Sequence, residues 1–100
     1  MVKHIVFWKL KAYAEGASRD ENVRRMKAVL EGMRGKIPGM RRVEVGIDFE
    51  RSEAAWDVAL YCEFDTRDQL ATYQEHPVHV AAKDFIRAVR DTRAVVDYET

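Results

Sequence analysis

Apolar residues occupy both parities of the opening segment HIVFWKL, with His4, Val6, Trp8 and Leu10 on one and Ile5 and Phe7 on the other. Together with its β-branched and aromatic content, this predicts a strand covered on both faces. From residue 13 the period changes. Val23, Met26, Leu30, Met33 and Ile37 recur at three- and four-residue spacing, the pattern of a helix with one buried stripe. Ser18 followed by Glu21 fits a capping box at its start, and Gly35, Pro38 and Gly39 end it. Alternation returns in RRVEVGIDF, with Val43, Val45, Ile47 and Phe49 opposed to Glu44 and Asp48. After a polar connection, AWDVALYCEF sets Trp56, Val58, Leu60, Cys62 and Phe64 on one face. Asp57, Ala59, Tyr61 and Glu63 fall on the other. Thr66 and Gln69 open a second helix through Leu70 and Tyr73. Pro77 disfavours helical geometry at His76 and suits a first helical turn, so this helix is expected to break there and restart, running to about Arg90. RAVVDYE closes the chain as a strand.

The resulting order, β-α-β-β-α-β with the second helix split at His76–Pro77, predicts a ferredoxin-like α+β fold: one antiparallel sheet with helices on one face. In this topology the first and third of these strands are central. Their second faces carry Ile5, Phe7, Ala59 and Tyr61, which the chain's own helices cannot cover. An apolar face of that kind usually marks an interface, so a homodimer packed sheet to sheet, a dimeric α/β barrel, is expected.

Composition narrows the partners. One hundred residues make a single domain, residues 1–100, and 17 basic residues balance 17 acidic ones, which argues against nucleic acid as a partner. The balance is uneven: eight basic residues stand against three acids between Arg19 and Arg42, and nine acids against two arginines between Glu44 and His76. This reads as a basic helix and an acidic hairpin, both solvated, or as two poles that meet across a subunit contact. No apolar run is long enough to span a membrane, the start lacks a signal-peptide pattern, and Cys62 has no partner for an intrachain disulfide. A cytoplasmic setting is expected.

Three segments carry a resemblance: VKHIVFWKLK, IPGMRRVEVGID and YQEHPVHV. Spanning nearly the whole chain, they resemble the stress-responsive A/B barrel (Dabb) family, the HPxHV element with an upstream VKHIV being the most distinctive part. The resemblance implies the ferredoxin-like fold and a back-to-back dimer. Some family members are cofactor-free polyketide cyclases of plants that use a tyrosine and a histidine, separated by five residues across this helix break, for aldol-type ring closure. Tyr73 and His79 stand at that separation, and His4 matches the first-strand histidine of such proteins.

The chemistry these residues offer is general acid/base. His79 falls in the first turn of the helix that begins at Pro77, where the positive end of the helix dipole disfavours the imidazolium and leaves a ring able to accept a proton. Tyr73 could donate a hydrogen bond to a developing enolate oxygen, and His4 could orient or share a proton with His79. Trp8, Leu60 and Phe85 are expected as apolar pocket walls. Each has a plainer reading: His76 as a helix boundary or cap, Tyr73 as core, His4 and His79 as an internal pair tying helix to sheet. A zinc-type site from His4, His76 and His79 lacks a fourth ligand, so neither metal nor cofactor is assigned. Two functions stay open: a Dabb-type binding or structural protein with a small hydrophobic pocket, in a stress-response setting, or a cofactor-free cyclase or lyase acting on a carbonyl. Cofactor-free monooxygenases share the scaffold without these motifs.

Overall fold

β1 (Val2–Leu10) lies inside the sheet, as its two-sided apolar pattern requires, paired antiparallel with both neighbours. The computed structural model describes residues 1–100. After β1 comes a two-residue hairpin, β2 (Tyr13–Ala14) and β3 (Ala17–Ser18), then α1 (Arg19–Glu31). β4 (Met40–Ile47) and β5 (Val58–Phe64) follow, then α2 (Arg67–Glu75), α3 (Pro77–Val89) and β6 (Arg90–Glu99). The four long strands form one antiparallel sheet in the order β4-β5-β1-β6, so β1 and β5 are central, and the ferredoxin-like arrangement holds.

Twenty buried apolar residues form the core between the helices and one face of the sheet. β1 contributes Val2, Val6, Trp8 and Leu10, β5 contributes Val58, Leu60, Cys62 and Phe64, and α1 contributes Val23, Met26 and Leu30. The helix signals act as read. Ser18 accepts from the Glu21 amide at 3.3 Å, although the Glu21 side chain pairs with Arg25 instead of closing the box. Thr66 and Gln69 form the complete reciprocal box. His76 is extended (φ −66°, ψ 136°), ends α2, and caps α3 by accepting the Val78 amide on its Nδ1 at 3.2 Å. That is its boundary role.

Several details depart from the sequence reading. The β2–β3 hairpin was not foreseen; its turn, Glu15–Gly16, takes positive φ at both positions (50° and 73°), the geometry that matches the twist of a tight hairpin. α1 ends at Glu31, earlier than the apolar spacing implied, because the chain passes into tight i to i+3 turns (Met33 N to Leu30 O, Arg34 N to Glu31 O) that still bury Met33 and Ile37. Phe49 lies beyond β4 and is 88% exposed. Trp56, expected beside Val58 on the core face, precedes β5 and packs its ring against Phe7 (6.4 Å) and under the Lys9 ammonium (4.9 Å) on the opposite face. The two charge poles meet partly within the chain, through Arg41–Asp65 and Arg19–Asp57. No helix is long and apolar enough to cross a membrane.

Candidate active site

Three elements converge on one cavity of about 290 Å³ between the helix layer and the sheet. β1 supplies its even-numbered side chains, His4, Val6 and Trp8. α2 supplies Tyr73 in its last turn and α3 supplies His79 in its first, so the break at His76–Pro77 turns both rings the same way. The Tyr73 ring lies 4.2 Å from that of His79 and 5.8 Å, edge-on, from that of His4, placing it between the two histidines. On its other side it rests on Phe64, ring centroids 5.1 Å apart. The cavity thus brings together all three residues named from the sequence.

Each histidine is oriented by a partner. His79 Nδ1 lies 3.2 Å from the Gln74 carbonyl, the last turn of α2 reaching across the break. A carbonyl only accepts, so Nδ1 carries the proton and Nε2 keeps its lone pair. Burial, with smaller contributions from Lys83, His4 and Arg93, holds His79 below the ordinary imidazole range despite the opposing Gln74 bond. His79 is therefore a neutral base near neutral pH. His4, 2% exposed, bonds through Nδ1 to the carboxylate of Asp97, which faces it across the β1–β6 ladder. Tyr73 is 1% exposed and its hydroxyl bonds no side chain; burial above all raises its pKa and keeps the phenol protonated, a donor at neutral pH.

Sequence reasoning missed Asp97. It is visible only once the antiparallel register of β1 and β6 is known. Of the expected apolar walls, Trp8 and Leu60 line the cavity and Phe85 does not. The reason is helical phase: the cavity-facing stripe of α3 is His79, Lys83, Ile86 and Arg87, whereas Phe85 joins Val78, Ala82 and Val89 on the adjacent stripe against the core. No three His, Cys, Asp or Glu side chains are grouped so as to hold a metal ion.

The stress responsive A/B barrel domain model matches residues 2–100. The chain belongs to this family. A dimeric protein of unknown function with a ferredoxin-like fold, from Bacteroides fragilis, is similar to it at 37% identity and a TM-score of 0.84, covering 99% of this chain and 95% of that one. A hydroxynitrile lyase from Passiflora edulis (20% identity, TM-score 0.76, coverage 97% and 90%) shares the fold. So does a putative antibiotic biosynthesis monooxygenase from Nitrosomonas europaea (17%, TM-score 0.72, coverage 100% and 98%). No curated protein matches the sequence.

Proposed function

We propose that this Dabb-family chain is a cofactor-free cyclase or lyase that works on a small carbonyl compound in the cavity between His4, Tyr73 and His79. The carrying observation is the Gln74 carbonyl on His79 Nδ1, which leaves Nε2 as a free base beside the Tyr73 phenol. In the forward direction Nε2 takes the proton next to the carbonyl, the carbon–hydrogen electron pair moves into the carbonyl, and Tyr73 donates a hydrogen bond to the enolate oxygen. The enolate carbon then attacks a second carbonyl, and the imidazolium returns its proton to the alkoxide. The reverse sequence cleaves the same bond, in keeping with a neighbour described as a lyase. The Asp97 carboxylate fixes His4 against the far edge of Tyr73 as a positioning residue. The cavity volume sits near the lower end of the roughly 300–1,000 Å³ of small-molecule sites.

Proton abstraction is testable before the substrate is known. In D₂O, the protein should accelerate exchange of the methyl protons of acetophenone over buffer, followed by proton NMR. His79→Ala should abolish the gain while leaving folding and assembly unchanged. Equal exchange by His79→Ala and the native chain would sink the reaction and leave a binding pocket, in which His79→Ala lowers stability and there is no turnover to lose.

We further infer a homodimer through the helix-free sheet face. Ile5, Phe7, Ala59 and Tyr61 lie there, continued by Val96 on β6, and Phe7 and Val96 are 37% and 56% exposed in the single chain. The Bacteroides relative, described as dimeric, supports this. Tyr61→Glu should yield a monomer by sedimentation; a stable dimer would place the contact elsewhere.

A further inference from the structure

We propose that the cavity selects an amphipathic acid, binding its apolar body on Val6, Leu60 and Ile86 and its carboxylate on the side walled by Lys83, Arg87, Arg90 and Arg93. The inference deepens the function proposed above, since it rests on the cavity being a small-molecule site and names the ligand's class.

Two independent observations carry it. First, the charged wall has one sign: four cations line the cavity and no Asp or Glu does. None of the four is in an ion pair, although eight lysine or arginine pairs occur elsewhere in the chain and His4, on the same cavity, is paired with Asp97. Solvated surface cations carry no such meaning singly, but cations gathered at one low-dielectric cleft focus their field on its interior. Second, the same cavity carries an apolar stretch, Val6, Leu30, Leu60 and Ile86, beside those cations. A carboxylate supplies the anionic partner that the unpaired arginines lack, and the apolar stretch suits an apolar body on the rest of the ligand.

The test compares octanoate with 1-octanol, molecules of equal chain length differing in the anion, by calorimetric titration, with the His79 ring protons followed by NMR to place the ligand. Octanoate is expected to bind at least about tenfold more tightly than 1-octanol, to shift the His79 signals, and to lose its advantage as salt is raised. Arg93→Gln, at an exposed strand position, should remove most of that preference, read as the ratio of the two affinities. Equal affinities, or a preference that survives Arg93→Gln, would overturn the acid-selective wall while leaving the small-molecule cavity intact. Octanoate binding that leaves His79 untouched would overturn the inference as adsorption to surface cations. If neither molecule perturbs His79, the cavity itself is misread and both proposals fall.

Discussion

Removing a single oxygen, by Tyr73→Phe, separates the catalytic reading of Tyr73 from the reading of it as an ordinary core tyrosine. The ring is 1% exposed and held between Phe64 and His79 at 5.1 and 4.2 Å, so phenylalanine retains nearly all the packing. The hydroxyl bonds no side chain, so its loss orphans nothing. The expected stability change is therefore within about 0.5 kcal/mol. A hydroxyl anchored in the core would instead cost about 1–3 kcal/mol, because its partner would be left buried and unpaired. For a chain of this length 1 kcal/mol moves the thermal midpoint by roughly 4–8 °C, so a melting curve distinguishes the two. Catalysis should respond in the opposite sense. Loss of one donor to a developing oxyanion costs about 10²–10³ in rate, so acetophenone exchange should fall that far while the midpoint barely moves. A midpoint drop beyond about 6 °C, or exchange within twofold of the native chain, refutes the assignment.

Other outcomes follow from the same contacts. His79 is held below its ordinary value, to which it returns on unfolding, about 6.5. The unfolded chain then binds more protons in that window, so stability should fall as pH drops below about 6.5, a slope that His79→Gln flattens in urea midpoints measured between pH 7.5 and 5. Gly39 has φ +80°, and a Cβ there would lie 2.5 Å from Gln69 Cδ, whose amide closes the α2 capping box. Gly39→Ala should cost about 1–3 kcal/mol by denaturant titration, from backbone strain plus a weakened cap. Asp97→Asn removes the carboxylate from His4 and should slow exchange by about ten- to a hundredfold with dimerisation intact.

Much of this architecture can be read from one-dimensional patterns because each pattern reports a local cause. Capping pairs at Ser18 and Thr66, the proline at the start of α3 and the alternation of β5 fix elements by interactions within a few residues. The cluster of His4, Tyr73 and His79 was legible for a mixed reason: the parity of β1 and the helix break are local, while their meeting follows from the family resemblance. What escaped was set by long-range geometry. Trp56 changes face because it lies before β5 begins, where strand parity no longer holds. Phe85 leaves the cavity because the choice between neighbouring stripes of α3 depends on how far that helix is rotated on the sheet. The sequence charge count, weighted toward residues 19–76, gave no sign of the cationic wall.

That wall depends on one irregularity in the sheet. Along β1 and β6 the regular register puts Asp97 opposite His4, Val95 opposite Val6 and Arg93 opposite Trp8, all on the helix side, with Ala94, Val96 and Tyr98 on the proposed dimer side. In an unbroken strand Arg90 and Arg93, three residues apart, would point to opposite faces. The register shifts between Lys9 and Leu10, setting Thr92 opposite Lys9 but Arg90 opposite Leu10. This accommodates Asp91 as an extra residue and returns Arg90 to the cavity side, where both arginines line the site. Re-aiming a side chain is what such bulges do beside functional sites. A one-residue slip of β6 would carry Asp97 and Arg93 onto the apolar face and bury their charges in the proposed dimer contact. The register that completes the cavity is therefore the one that keeps the opposite face apolar, and neither surface can be built without the other.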